Sequence, residues 1–308
     1  MNWTGIINFV LAISFFISAY SQAATCSGQG IEVQVLGSGG PETQDQRASS
    51  SYVIWLDGRS RVLVDSGGGS AVRFGQSGAQ MQDLDIVLFT HFHADHSADF
   101  PALVKSSFFE NRTSLLPVYG PSGSQRFPAA TGFIRALFDE KTGVFRYLYD
   151  FITPGEASYL IAAHDIDIAN HTISTVNMEG DLTVSAIPVI HGPVPALAWR
   201  VDVGGKRIVF SGDMNGNSGN LQKLAQQADI LVAHNAVPEG ATGVARNLHM
   251  PPSVIGRIAA AAEVKQLVLS HRMLRTSGRE DETLQYIQES YSGPVSFAND
   301  LDCYQIEW

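Results

Sequence analysis

The chain has 308 residues, of which 44% are hydrophobic and 16% are charged, and its formal net charge is −10. This composition excludes a disordered chain, and the length suits one large α/β domain or two small ones. The acidic balance disfavours broad, non-specific binding to nucleic acid, although a bound metal cation could still attract an anionic substrate locally.

An almost unbroken apolar run, residues 6–19, lies near the start of the chain. The run is short for a membrane span and fits the hydrophobic region of a signal peptide, and Ser21-Gln22-Ala23 has the small-x-small pattern of a cleavage site. Residues 1–5 contain no Lys or Arg, so an uncleaved anchor and a buried N-terminal helix remain alternatives. We expect residues 1–23 to be a cleaved signal peptide, residues 24–308 to form a single domain, and the mature protein to be periplasmic or secreted without membrane attachment.

The two cysteines lie at opposite ends of the mature region, Cys26 just after the predicted cleavage site and Cys303 close to the C-terminus. In an oxidising compartment such a pair could form a disulfide that joins the two ends, and two unpaired thiols are the alternative. Neither cysteine has a Cys or His neighbour at ligand spacing, so a cysteine metal site is not expected.

Strand-like and helix-like segments alternate along the mature region, which favours a layered α/β domain. The predicted strands are residues 32–36, 52–56, 61–64, 86–90, 182–189, 196–203, 207–210, 230–233, 267–270 and 295–298. The predicted helices are residues 98–109, 122–138, 252–263 and 279–290. Residues 139–170 fit this alternation least well, and their aromatic side chains suggest an insertion over one edge of the functional site.

The strongest chemical signal is the segment Thr90-His91-Phe92-His93-Ala94-Asp95-His96, which directly follows a predicted buried strand. Imidazole and carboxylate groups suit Zn²⁺, Mn²⁺ and Fe. The H-x-H pair could bind one metal ion, and the D-H pair could reach a second ion beside it. Loops at strand ends are where rigid scaffolds place such chemistry.

H-x-H-x-D-H is the signature of the metallo-β-lactamase superfamily, which the chain resembles from about residue 32 to its C-terminus. Residues 36–40 and 47–52 resemble the opening strand and loop of the ribonuclease Z-like branch. Val64-Asp65-Ser66-Gly67 is similar to the family's strand-ending turn, in which the Asp is structural or supports a ligand. The resemblance implies an α/β fold of the four-layer αβ/βα sandwich type.

The resemblance also implies a centre with two divalent metal ions, zinc or alternatively manganese or iron. Three more predicted ligands, His191, Asp213 and His271, each lie at or just after the end of a predicted strand. One ion is assigned to His91, His93 and His191, the other to Asp95, His96 and His271, and Asp213 bridges them. A hydroxide that bridges the two ions is the expected nucleophile, and Asp95 is predicted to orient it or to accept its proton.

His249 lies just ahead of a helix that begins with prolines. It resembles the histidine of the ribonuclease Z and arylsulfatase-like branch that stabilises the transition state or protonates the leaving group, and a surface histidine is the alternative. His164 and His171 have no ligand spacing. His234 is not predicted to be a ligand, and Asn235 follows it where the ribonuclease Z branch has a Glu; an Asn cannot act as acid or base.

Ribonuclease Z normally has a long arm that holds transfer RNA, and this arm is inserted between the positions that correspond to His191 and Asp213. The segment between His191 and Asp213 in this chain is too short to contain such an arm. We therefore expect an exported two-metal hydrolase, phosphodiesterase-like or arylsulfatase-like, that acts on anionic small-molecule esters. Transfer RNA processing and a stable nucleic-acid partner are not expected. Hydrolysis of a lactone, carboxylic ester or β-lactam on the same centre is the alternative, although β-lactamases generally lack an Asp where Asp213 stands. A third hypothesis, a non-enzymatic module on this scaffold, predicts the loss of one or more ligands, and all seven are present. The oligomeric state is a separate matter, for which relatives of the ribonuclease Z branch suggest a homodimer.

Overall fold

The computed structural model describes residues 26–178 and 180–306, and the predicted signal peptide lies outside them. The strands of the described residues are β1 (Ile31–Gly37), β2 (Ser51–Leu56), β3 (Arg59–Val64), β4 (Ile86–Leu88), β5 (Leu116–Pro121), β6 (Ile161–Ile166), β7 (Ser174–Asn177), β8 (Thr183–His191), β9 (Val194–Val203), β10 (Lys206–Phe210), β11 (Ile230–His234), β12 (Gln266–Ser270), β13 (Val295–Phe297) and β14 (Cys303–Ile306). The α-helices are α1 (Ser70–Ser77), α2 (Ala94–Ser97), α3 (Phe100–Ser107), α4 (Ala130–Phe138), α5 (Asn220–Leu224), α6 (Gly243–Leu248), α7 (Pro252–Ala261) and α8 (Glu280–Gln288). Short 3₁₀ helices cover Met81–Asp83 and Arg146–Phe151. None of the helices in the described ranges has the length and apolar character that a bilayer crossing requires.

The strands form two mixed sheets of seven strands each, in the orders β14-β1-β2-β3-β4-β5-β6 and β13-β12-β11-β10-β9-β8-β7. In the second sheet β10, β11 and β12 run parallel to one another, and β9 is antiparallel to both β8 and β10. The strands β8, β10, β11 and β12 therefore point the same way. Their carboxyl ends meet at one edge, where an α/β sheet commonly places its site.

Three hydrophobic cores define four layers. Side chains such as Val33, Tyr52 and Phe210 pack between the two sheets. The alternate residues of the same strands, such as Val53, pack with α1, α3 and α4 on the outer face of the first sheet. A third core lies between the second sheet and α5, α7 and α8. Because both faces of each sheet are buried, the strands are nearly continuous apolar runs. The result is the predicted αβ/βα sandwich.

The two sheets are joined by hydrogen bonds at the end of β4. The indole N–H of Trp199, a fully buried residue of β9, donates to the carbonyl oxygen of Phe89 at 2.9 Å. The backbone N–H of Leu197 donates to the carbonyl oxygen of Thr90, also at 2.9 Å. These bonds turn residues 89 and 90 toward the second sheet, so β4 ends at Leu88 rather than at the predicted residue 90.

Two sequence-based predictions in the first half of the chain are wrong in part. The helix predicted for residues 122–138 begins only at Ala130, because Pro128 disfavours helix in the residue before it and lacks a backbone donor. Residues 139–170 are not simply an insertion, since β6 lies within them and pairs with β5 at the edge of the first sheet. The strand β5 itself was not predicted from the sequence, because it contains two prolines, which are uncommon within strands.

The two cysteines form a disulfide bond, which the sequence alone did not decide. Cys26 and Cys303 are bonded, their Cα atoms lie 5.3 Å apart, and they are separated by 277 positions in the sequence. Cys303 begins β14, which pairs with β1, so the bond fastens the last strand of the sheet to the segment that precedes the first.

Replacing Cys303 with serine is expected to lower the free energy of unfolding by about 2–5 kcal/mol, because the cross-link restricts the unfolded chain. Urea-induced unfolding of the variant and of the wild type, each with and without reductant, measures the change. Reductant should lower the wild-type midpoint to that of the variant and leave the variant unaffected. Equal midpoints for the two oxidised proteins would contradict the expectation.

Candidate metal centre

The predicted ligands converge between the two sheets. His91 and His93 lie on the loop after β4, and His96 lies in the short helix α2 that follows. His191 ends β8, while Asp213 and His271 follow β10 and β12. The structure thus brings the predicted ligands together from distant parts of the chain. His93 and Asp95 are partly exposed, and the other members are buried.

The first cluster consists of the residues assigned to one ion together with Asp213. His93 Nδ1 lies 3.0 Å from His91 Nε2 and 3.4 Å from His191 Nε2. Asp213 Oδ2 lies 3.6 Å from His191 Nε2. One ligand atom from each of these four residues lies within 4.8 Å of the others. Three imidazoles and one carboxylate are a suitable donor set for zinc.

The second cluster lies on the other side of Asp213. His271 Nε2 lies 3.2 Å from Asp95 Oδ2 and 3.4 Å from Asp213 Oδ1. His96 Nε2 lies 3.6 Å from Asp95 Oδ2 and 3.7 Å from Asp213 Oδ2. The Asp213 carboxylate therefore faces both clusters, as expected of a residue that bridges two ions. The ligand role of each residue stays a prediction.

The electrostatics of the second cluster suit a cation. Burial opposes charge on His96, yet the carboxylates of Asp65, Asp95 and Asp213 hold the pKa of its imidazole well above the usual range. Burial likewise opposes charge on His271, and Asp213 with Asp95 raises its pKa. The buried Nε2 atom of His96 has no hydrogen-bond partner among the described residues. A divalent metal ion would bind to such an unpaired nitrogen, and the negative potential of the surrounding carboxylates would stabilise the ion.

Asp65 orients His96, as the resemblance implied for the Asp of that turn. Its Oδ2 atom lies 2.8 Å from His96 Nδ1 and also accepts the Thr90 hydroxyl at 2.8 Å. The backbone N–H of Thr90 donates to Asp65 Oδ1 at 2.7 Å. With Nδ1 held in this way, the other ring nitrogen of His96 points into the second cluster.

Replacing Asp65 with asparagine is expected to weaken metal binding by about 10–100-fold, the usual effect of losing a carboxylate that supports a histidine ligand. Competition with a chromogenic chelator measures the affinity. Asp165→Asn, which changes an exposed residue that contacts Thr131, serves as the matched control. Unchanged affinity in Asp65→Asn would show that the carboxylate is dispensable for the centre.

Close backbone packing around the centre depends on two glycines. A Cβ atom on Gly40 would come 2.7 Å from His271 Cε1. Gly212 has a φ of +57°, and a Cβ there would come 2.8 Å from the carbonyl oxygen of Leu197. His271 itself has a φ of +53°. For a residue with a side chain this conformation costs about 1–3 kcal/mol, and such strain concentrates at functional sites.

His234 is the residue that the sequence reasoning missed. Its Nδ1 lies 2.8 Å from Asp213 Oδ1, and its Nε2 lies 3.1 Å from the hydroxyl of Tyr52, which is also 2.9 Å from Ser270 Oγ. Burial lowers the pKa of His234 to about 4, so the ring is neutral at pH 7 and donates its Nδ1–H to Asp213. One of its ring nitrogens lies within 4.8 Å of ligand atoms of His96, Asp213 and His271. Because both nitrogens already face partners, His234 positions Asp213. Its place at the end of β11 was the available signal.

His249 lies beside the centre without joining either cluster. It follows α6 directly, it is buried, and its Nδ1 lies 3.8 Å from Asp213 Oδ1 with no hydrogen-bond partner among the described residues. Its ring centroid lies 5.5 Å from that of His191 and 5.7 Å from that of His271. Burial lowers the pKa of His249 to about 3, so the ring is neutral near pH 7.

The remaining residues singled out earlier are not members of the two clusters. Asn235 is buried, and its backbone N–H donates to the carbonyl oxygen of Ser270 at 2.8 Å. His164 stacks on Tyr119, with ring centroids 4.5 Å apart. His171 Nδ1 lies 3.3 Å from the amide nitrogen of Asn220. Neither His164 nor His171 belongs to the two clusters around Asp213.

Comparison with known proteins gives a family and a fold. Residues 60–272 match the beta-lactamase superfamily domain, Lactamase_B_2. Ribonuclease Z of Mycobacterium avium is 27% identical over 290 residues, which cover 90% of this chain and 99% of the relative. The metallo-beta-lactamase fold protein YhfI of Bacillus subtilis is similar in structure, with a TM-score of 0.66, 22% identity and coverage of 89% and 98% of the two chains. Human tRNase Z, short form, has a TM-score of 0.69, 19% identity and coverage of 90% and 100%.

Proposed function

This chain belongs to the β-lactamase superfamily of metal-binding hydrolases, and from that premise we propose that it cleaves phosphodiester or sulfate-ester bonds of small anionic molecules with two zinc ions. The observation that carries the proposal is the shared Asp213 carboxylate between two His/Asp clusters, with His249 beside it. Two neighbouring metal ions occur in phosphatases, polymerases and nucleases, where they stabilise both the attacking and the leaving oxygen of an in-line displacement.

Asp95 and His249 have separate proposed roles beside the metal ions. When bound, the ions supply Lewis-acid chemistry, namely water of lowered pKa and polarised ester oxygens. Asp95 is partly exposed and lies between His96 and His271, so it is placed to accept the proton that the attacking water loses. Neutral His249 can donate an N–H hydrogen bond to an oxygen on which negative charge develops.

Phosphodiester chemistry is supported by the relatives. Ribonuclease Z of Mycobacterium avium, similar over 90% of this chain, is by name an enzyme that cleaves the phosphodiester bonds of RNA. We propose that the present chain applies the same bond cleavage to smaller substrates. Sulfate esters present a similar tetrahedral anion to the metal centre and therefore remain in the proposed substrate class.

A small substrate is supported by the connections between His191 and Asp213. The strands β8 and β9 are joined by Gly192 and Pro193 alone, and β9 and β10 by Gly204 and Gly205 alone. No protruding segment is present in this described stretch to hold a folded RNA. The net charge of −10 and the Asn at position 235 also argue against transfer RNA processing.

Export is part of the proposal. It is supported by the apolar run of residues 6–19 and by the disulfide between Cys26 and Cys303, because disulfides persist in oxidising compartments and are rare in the cytosol.

The test is hydrolysis of bis(p-nitrophenyl) phosphate by the exported protein, with metal content determined on the same sample. An aryl sulfate, a lactone and a precursor transfer RNA are assayed beside it. Turnover of the diester or the sulfate that disappears with chelator and returns with zinc is expected. Turnover of the lactone alone would indicate carbonyl chemistry, and turnover of the transfer RNA alone would indicate a nuclease. A protein without bound metal would overturn the ligand assignment.

A further inference from the structure

A cleft of about 510 Å³ lies against the loop that leaves the metal centre after Asp213. Its walls come from that loop and from α5, α6 and α7, and its polar lining residues are Asn217, Gln222, Arg246 and Arg257. The other lining residues are apolar or glycine, and none of the lining residues is acidic. In a chain with a net charge of −10, this is a local reversal of charge.

The cleft is adjacent to the residues proposed for the chemistry. Gly216 in its lining is three positions after Asp213, and Arg246 is three positions before His249. Three residues of extended chain span at most about 11 Å, so the Cα atom of Gly216 lies within that distance of Asp213 Cα, and the Cα atom of Arg246 within that distance of His249 Cα. Arg246 also contacts this part of the chain directly, because its Nη1 group donates to the carbonyl oxygens of Asn215 at 3.0 Å and His249 at 3.4 Å.

The two arginines are suited to an anion. Arg257 is exposed on α7 and makes no ion pair with any residue in the described part of the chain. Arg246 is held by carbonyl oxygens only, so its charge is not neutralised. A guanidinium has planar N–H donors that match the oxygens of a phosphate group. The amide side chains of Asn217 and Gln222 add neutral donors to the same lining.

We propose that this cleft is a second anion subsite, which binds a terminal phosphate of the substrate while the ester bond to be cleaved lies at the metal centre. This inference rests on the proposed function and narrows its substrate class to phosphodiesters that carry an additional phosphomonoester group, such as a short phosphorylated oligonucleotide. Binding energy from this remote group would lower KM for such substrates, because the guanidinium groups contact a part of the substrate that does not react.

The test compares substrates that differ only in the terminal phosphate. The dinucleotide TpT is compared with pTpT and TpTp, which carry the phosphate at the 5′ and 3′ ends. The wild type is expected to show a KM about 10-fold lower for one of the phosphorylated dinucleotides. In Arg257→Gln that preference should fall to near unity. Arg59→Gln, which removes an exposed charge paired with Asp83 on the first sheet, is the matched control and should retain the preference.

Two results separate failure of the subsite from failure of the proposed function. Turnover of the dinucleotides with no preference in the wild type, or a preference that survives in Arg257→Gln, would overturn the subsite and leave the proposed function standing. If no phosphodiester is cleaved, the subsite is tested by calorimetry, which measures the affinity of the metal-loaded protein for the same dinucleotides. Tighter binding of a phosphorylated dinucleotide that is lost in Arg257→Gln would support the subsite, and equal binding of all three would overturn it.

Discussion

Replacing Asp213 with alanine is expected to reduce metal content below two ions per chain and to lower turnover by at least about 10³-fold. The Asp213 carboxylate lies 3.6 Å from His191 Nε2 in the first cluster and 3.4 Å from His271 Nε2 in the second. Without the Asp213 carboxylate the first cluster consists of histidines alone. No shared negative charge would then reduce the repulsion between the two neighbouring cations. Losing the charge stabilisation of a metal ion costs several kcal/mol in the transition state, which corresponds to the stated loss.

Metal analysis and turnover of bis(p-nitrophenyl) phosphate, measured on one sample, check this prediction. Asp213→Asn is the informative second variant, because it keeps an oxygen that can accept the hydrogen bond from His234 but has no charge. Both variants should lose metal, and their urea midpoints report whether they are folded. A folded Asp213→Ala protein with two ions and normal turnover would show that this residue does not bridge.

Replacing His249 with alanine is expected to leave both metal ions in place and to lower turnover by about 10²–10⁴-fold, the range for a group that assists proton transfer or stabilises developing charge. The ring lies beside the clusters, with Nδ1 3.8 Å from Asp213 Oδ1, and it is not one of the residues whose ligand atoms converge there. Its loss should therefore change kcat more than metal affinity.

Steady-state kinetics and metal analysis of His249→Ala check this expectation, with His164→Ala as the matched control. His164 stacks on Tyr119 and belongs to neither cluster around Asp213, so its variant should keep wild-type turnover. Loss of metal in His249→Ala would reassign this residue to ion binding. Normal turnover with both ions bound would remove it from the mechanism.

The candidate metal centre could be predicted from the sequence because one motif is local and the chain resembles a family whose other ligands follow it in order. His91, His93, Asp95 and His96 are close along the chain, and apolar, β-rich runs lead to the remaining candidate ligands. An apolar run that ends in a ligand-type residue indicates a buried strand whose end carries chemistry, whatever the rest of the fold. The layered α/β architecture followed from the same runs, because strands buried on both faces are apolar almost throughout.

Features that depend on partners distant in the sequence needed the structure. His234 resembles the other strand-end histidines in sequence, and only its distances to Asp213 and Tyr52 show that it positions a carboxylate. The strand β6 is weakly apolar and was recognised only through its pairing with β5.

The sequence by itself therefore determined the layered α/β class, because this class depends on periodicity within short segments. The H-x-H-x-D-H motif and the family resemblance that it carries supplied the candidate ligands and their order. The tertiary structure alone decided which side chains meet around Asp213, that Cys26 bonds to Cys303, and that Arg246 and Arg257 line one cleft. Such contacts depend on the relative placement of strands and helices, which is set by the packing of three cores and by cross-sheet hydrogen bonds such as that of Trp199.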